Sequence, residues 1–185
     1  MKKIYLLTFV LFIVGHLQAQ NANFKSDSVN KRIPAHATKS SMSTDALQAT
    51  LYEIIDQKHA VHQAHWNVRG PQFISLHEML GDMYGELNGF IDQVAERKLA
   101  LGKPADGRPA EVASNANLST VTSEFVSDHH VVDHLSERYK TISERLEARI
   151  ETTGKTDTVT QDLLIALRNT IDLHLWKLRS FNYPK

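Results

Sequence analysis

His65-Trp66-Asn67-Val68-Arg69-Gly70-Pro71-Gln72-Phe73-Ile74-Ser75-Leu76-His77 places a single break between two helical patterns, and the rest of the chain can be read outward from it. Glycine closes a helix readily and proline cannot continue one, so Gly70-Pro71 punctuates two helices. His65 and His77 lie five residues before and seven after Gly70. If the flanking helices fold back as a hairpin, the two imidazoles come out at about the same level. Further along the second pattern, Asp92 and Glu96 stand at i and i+4, so their carboxylates share one helix face. Two imidazoles and two carboxylates suit a transition ion such as iron better than calcium or a thiol-loving metal.

His77 and Asp92 are fifteen residues apart on one helix, roughly 22 Å at about 1.5 Å per residue. No single ion spans that distance. Either the two pairs are unrelated surface features, or the histidines of one subunit meet the carboxylates of another across a two-fold axis. The second alternative makes the protein a homo-oligomer.

The apolar spacing predicts four long helices. The first begins at the cap residues Ser43-Thr44-Asp45 and runs to Arg69, with Leu47, Leu51, Ile54, Ile55 and Val61 on its apolar stripe. The second runs from about Gln72 to Leu101, where Phe73, Leu76, Leu80, Met83, Leu87, Ile91 and Val94 follow three and four apart. Residues 102–119 form a Gly/Pro/Ala/Asn-rich connection, long for a bundle, with room for one short helix around Pro109 to Ser114. The third helix is expected after Ser119-Thr120, carrying Phe125, Val132, Leu135, Tyr139, Ile142, Leu146 and Ile150 as far as Gly154. The fourth starts at a capping-box pattern, Thr158-x-x-Gln161, and carries Leu164, Leu167, Ile171, Leu175 and Leu178 to its end at Ser180-Phe181. The result is an all-α antiparallel four-helix bundle with one long crossover connection carrying a short extra helix.

Taken together, His65-Trp66-Asn67-Val68-Arg69-Gly70, Phe73, Leu76-His77-Glu78 and Asp92-x-x-Ala95-Glu96-Arg97 resemble the Dps branch of the ferritin-like proteins, from about residue 44 to Trp176. The resemblance implies a ferritin-like bundle, a dodecameric hollow shell and a ferroxidase centre at a dimer interface. His65 and His77 match the family's histidine ligands, and Asp92 and Glu96 match its carboxylate ligands from the neighbouring subunit. The implied activity is oxidation of Fe(II) to Fe(III), with hydrogen peroxide as oxidant, and storage of the iron in protection against oxidative stress. One position departs from the pattern. Where the family commonly has an aspartate four residues after the second histidine, this chain has Gly81, with Asp82 beside it. A one-residue shift turns a side chain about 100° around a helix, which puts the second iron position in doubt more than the first.

Other di-iron bundles hold both metals within one subunit through Glu-x-x-His motifs. The chain contains none, in keeping with a site shared between subunits. Its lack of cysteine excludes disulfides, thiolate metal sites and redox thiols. Three further groups are weaker candidates: His62, as support for a metal held by His65; Asp128, His129, His130, Asp133 and His134, as a metal cluster or an ordinary polar face; and Glu144, Glu147 and Glu151, as the lining of an acidic pore in a shell.

The termini have their own logic. Lys2-Lys3, the apolar run Ile4 to Val14 and a small-residue site ending at Ala19 form a signal peptide spanning residues 1–19, too short for a comfortable membrane span. Export to the periplasm follows, with no stable membrane association after cleavage. Residues 20–43 are polar, with Lys25, Lys31, Arg32 and Lys39 against Asp27, and form a flexible basic tail. Such a tail neutralises phosphates and makes a DNA-condensing shell the alternative reading, although an exported protein meets no nucleoid. The folded domain is then residues 44–181. A passive exported metal-binding protein is the remaining alternative.

Overall fold

Among the described residues five α-helices carry the fold: α1 (Ser41–Asn67), α2 (Phe73–Ala100), a short α3 (Pro109–Asn115), α4 (Asp128–Gly154) and α5 (Thr158–Arg179), closed by a 3-10 turn at Ser180–Asn182. The computed structural model describes residues 41–182, so the expected signal peptide and nearly all of the basic tail lie outside the described residues. Residues 41–43, assigned to that tail from composition, are the first turn of α1. Ser43 is buried there, and the Thr44 hydroxyl donates to the Ser41 carbonyl at 3.0 Å.

Two hairpins make the bundle. α1 packs on α2 and α4 on α5, with α1 against α4 and α2 against α5 closing the core. Each long helix buries most of the stripe expected of it: Leu47, Leu51, Ile54 and Val61 from α1, Leu76, Leu80, Met83, Leu87 and Val94 from α2, Leu135, Tyr139, Ile142 and Leu146 from α4, and Leu164, Leu167, Ile171 and Leu178 from α5, while Phe73 is exposed and Ile55, Ile91 and Ile150 are half-buried. At about 1.5–3 kcal/mol for each large apolar side chain removed from water, this shared interior is the main force holding the helices together. Among the described residues no helix is long and apolar enough to cross a membrane.

The crossover between α2 and α4 returns the chain along the bundle, and its last residues depart from the expectation. α4 starts at Asp128, not after Ser119-Thr120. Ser127 is its cap, with the hydroxyl accepting from the His130 amide at 3.3 Å. The preceding residues are drawn into other bonds. Val126-Ser127 (β2) pairs in parallel with Val68-Arg69 (β1), so the end of α1 and the start of α4 meet. Phe125 is exposed and lies under the Arg69 guanidinium, 3.3 Å from the ring centroid, and so is not part of the α4 stripe. α5 is likewise capped otherwise than expected. Asp157, not Thr158, accepts from the Thr160 amide at 3.1 Å, and the Gln161 side chain donates to the Ile150 carbonyl instead of reaching back.

The crossover's carbonyls need donors, and arginines of α4 supply them. Arg145 donates to the carbonyls of Ala116 and Asn117, each at 3.1 Å, and to Glu53 of α1 at 2.9 Å. Arg149 forks onto the same carboxylate at 2.5 and 2.7 Å. Arg138, buried, bonds the Ser119 carbonyl, Gln57 at 2.8 Å and Asp56 at 2.6 Å. Stripping the partners from a buried charge costs about 3–5 kcal/mol, so the double pairing is what makes a buried Glu53 tolerable.

His174, Tyr139 and Glu86 form a further titratable cluster. His174 of α5 is fully buried, with Nδ1 3.1 Å from the Tyr139 hydroxyl and Nε2 2.9 Å from Glu86. Burial pushes its pKa below the ordinary 6.5, and the Glu86 bond opposes this without reversing it. The unfolded chain therefore binds a proton that the folded chain resists. The stability involved is fully present above pH 6.5 and is lost as pH falls through that value towards the folded one. Asp128, held low mainly by the Gln72 amide, and Asp157, which burial would raise but which Thr160 and Arg97 hold low, add a second loss at more acid pH. The thermal midpoint should therefore fall between about pH 7 and about pH 5, and His174→Gln should flatten that limb while leaving the acid limb below about pH 4 in place. Calorimetry across this range checks it, and an unchanged slope in His174→Gln would show that the buried imidazole is not responsible.

Candidate metal centre at the first helix hairpin

The turn between α1 and α2 is built from a conformation that few residues adopt. Gly70 has φ +142°, and a Cβ there would overlap the Asp128 carboxylate. That carboxylate accepts from the Gln72 amide at 3.0 Å and from the His129 amide at 2.9 Å. Asp128 thus ties the first turn of α4 to the hairpin. It is buried and structural, which removes it from the proposed cluster of metal-ligand residues at the start of that helix.

Across this turn His65 and His77 meet as the spacing predicts. Their rings stack with centroids 3.8 Å apart and planes inclined by 17°. Nδ1 of His65 lies 2.7 Å from the His77 carbonyl, and Nδ1 of His77 lies 2.9 Å from the His65 carbonyl. A carbonyl only accepts, so both Nδ1 atoms carry the proton. In the neutral ring this tautomer leaves the lone pair on Nε2, the form that binds a metal. Both rings are half-buried. Neighbouring aromatics complete the wall: His62 packs 4.1 Å from Trp66 and 4.2 Å from Tyr84, Tyr84 stands edge-on to His65 at 5.5 Å, and Phe73 lies 5.2 Å from His77. Burial, then His65, Lys58 and His59, lower the pKa of His62 and favour its neutral form. Trp66 is 60 % exposed, so an aromatic group beside the histidines faces outward from this subunit.

Gly81 faces the pair. A Cβ at that position would stand 3.6 Å from His65 Cε1, in ordinary contact. Asp82 is exposed, a residue further round the helix. Position 81, not 82, is therefore the one from which a side chain reaches the imidazoles.

Asp92 and Glu96 lie three to four turns further along α2, exposed, and form no ion pair among the described residues. Their neighbouring cations are engaged elsewhere. Arg97 donates to Asp157 at 2.7 Å and to Thr160 at 3.0 Å, and Lys98 donates to Gln48 at 2.5 Å. The hairpin thus brings His65 to His77 but leaves the carboxylates apart from both. Among the described residues no three His, Asp or Glu side chains of one chain converge as a metal site. Of the acidic residues on α4, Glu147 is paired with Arg168 at 3.4 Å. The ion-pair set Glu53, Arg138, Arg145 and Arg149 had no sequence signal, because its members are scattered over almost a hundred residues.

Comparison with known proteins agrees with this geometry. A family model described as a ferritin-like domain matches residues 44–182. A curated relative from Deinococcus radiodurans, a DNA protection during starvation protein, is 34 % identical over 171 residues, 90 % of this chain and 71 % of the relative. A protein of the same description from Agrobacterium fabrum is 31 % identical over 153 residues, 78 % of this chain and 94 % of its own length. A crystal structure of a Dps protein from D. radiodurans superposes with a TM-score of 0.75 at 34 % identity, covering 76 % of this chain and 85 % of that one. The chain belongs to the Dps family of ferritin-like proteins.

Proposed function

We propose that this protein is a mini-ferritin that oxidises Fe(II) at sites shared between subunits and stores the product inside a homo-oligomeric shell, a dodecamer by family resemblance. The observation that carries the reading is the reciprocal pair of Nδ1–H bonds from His65 and His77 to each other's carbonyls, which stacks the two rings and reserves Nε2 of each for a ligand. Iron is the substrate and cargo. The imidazoles hold Fe(II), and Asp92 and Glu96 of a neighbouring subunit complete the ligand set, their hard oxygens favouring the Fe(III) product. With hydrogen peroxide as oxidant, two Fe(II) give up one electron each and the O–O bond breaks. With two waters the products are two FeO(OH) and four protons. The curated relatives' description as DNA protection proteins supports a protective role. It also supports the second reading, a DNA-condensing shell, which gel retardation at physiological salt separates from an iron-oxidation assay.

A shared site makes a sharp test. His77→Ala and Glu96→Ala should each abolish rapid Fe(II) oxidation while leaving the bundle folded, since neither residue belongs to the buried core. In shells assembled from both variants, about half of randomly formed interfaces are mixed. Each mixed interface has one intact site out of two, so about a quarter of wild-type activity should return. No recovery above the single variants, in shells of confirmed composition, would refute the assignment of His65, His77, Asp92 and Glu96 to one intersubunit centre.

The missing aspartate is testable at the position that faces the ring. Gly81→Asp should add a carboxylate ligand and raise Fe(II) bound per site in anaerobic titration, whereas Asp82→Ala should leave that number unchanged. The reverse pattern would make Asp82 the ligand.

Export to the periplasm rests on Lys2-Lys3, the apolar run after it and Ala19-Gln20. Mass spectrometry of the mature protein should find Gln20 as the first residue. An intact Met1 on a cytoplasmic protein would overturn export and strengthen the DNA-binding alternative.

A further inference from the structure

The start of α4 keeps a second pair of histidines that the proposed iron chemistry leaves unused. His130 and His134 are one turn apart, and their rings lie parallel within 6° with centroids 5.9 Å apart. Histidines at i and i+4 on one helix face are the spacing from which helical metal sites are made. Both line a cavity of about 280 Å³ between α1, the end of the crossover and α4, together with Gln63, Asn67 and Thr122. Nε2 of His134 is buried without a hydrogen-bond partner. An orphaned buried nitrogen asks for an explanation, and the capacity to bind a metal is one that fits an imidazole.

The remaining groups on the cavity narrow the chemistry. Gln63 uses its Nε2 on the Thr122 carbonyl at 3.3 Å, and Asn67 uses its Nδ2 on the Gln63 carbonyl at 2.9 Å, so each keeps an amide oxygen free. No carboxylate lines the cavity. Asp128 is committed to the hairpin, and Asp133 accepts from Asn182 at 2.5 Å. The Arg138 charge, one turn on, is held by Asp56. A donor set of two imidazoles and neutral amide oxygens suits Zn(II) and its neighbours in the transition series, and is poor for calcium or magnesium.

We propose that His130 and His134, with an amide oxygen from Gln63 and water, form a divalent metal site of the zinc class, separate in its residues from the His65–His77 pair. The site needs no neighbouring subunit and no oxidation chemistry, so it stands or falls independently of the ferroxidase reading. Zinc titration of the assembled mature protein by calorimetry tests it, in a His65→Ala/His77→Ala background that removes the first pair. That background should retain about one zinc per chain. Adding His130→Ala should weaken this binding at least about tenfold, since losing a direct ligand costs no less than the 10–100-fold typical of an outer-shell change. Gln63→Leu should weaken it less. His130 is exposed, so its truncation should leave the fold intact by circular dichroism even if a His134 variant does not fold. Zinc binding that is absent from the His65→Ala/His77→Ala protein, or unchanged by His130→Ala within it, would overturn the proposal.

Discussion

His65 and His77 each give the Nδ1–H to the other's main-chain carbonyl, and this exchange joins the fold to the chemistry. It can form only if the two helices cross the Gly70-Pro71 turn at one separation and one rotation. Once formed, it removes the tautomeric freedom of both neutral rings and places their lone pairs on Nε2. The turn that sets this geometry is itself held from a distance. Gly70 makes room for the Asp128 carboxylate, which caps the Gln72 amide from the first turn of α4. The second hairpin of the bundle thereby fixes the first.

The crossover has to reach that first turn of α4 and arrive in register. It is a long segment with little regular structure, and its backbone would be costly to bury unbonded. Two arginines of α4, Arg138 and Arg145, satisfy its carbonyls, and the buried or half-buried acids of α1 neutralise their charge. Val126-Ser127 then pairs with Val68-Arg69 and delivers Asp128 beside Gly70. The polar network and the metal-binding geometry are thus parts of one arrangement, although they share no residue.

One chain supplies two histidines and, far along the same helix, two unpaired carboxylates. A helix is rigid over this distance, so no rearrangement within the subunit unites them. Symmetry is the physical route by which they would meet. Trp66 and Ile74, both 60 % exposed near the histidines, put apolar side chains on the outward surface around the turn, in keeping with that route.

The sequence by itself determined the four long helices, the short α3 and the pairing of His65 with His77, because those follow from local rules. Apolar residues three and four apart make a buried stripe, and a Gly-Pro break between two such stripes makes a hairpin. It also determined that Asp92 and Glu96 are too far from His77 to share an ion within one chain, since helix rise is constant. The tertiary structure decided what depends on contacts between distant segments. Phe125 and the residues around it looked helical in spacing, but pairing with β1 and stacking under Arg69 drew them out of α4. Asp128 could be read as a metal ligand or as part of an ordinary polar face, but the Gln72 amide of the hairpin and the His129 amide of its own helix claimed its carboxylate. Gly81 and Asp82 could be ranked only when one was found against the His65 ring. A hydrogen bond between residues fifty or more positions apart leaves no period in the sequence, so only the packed chain reveals which polar groups are already committed and which remain free to bind.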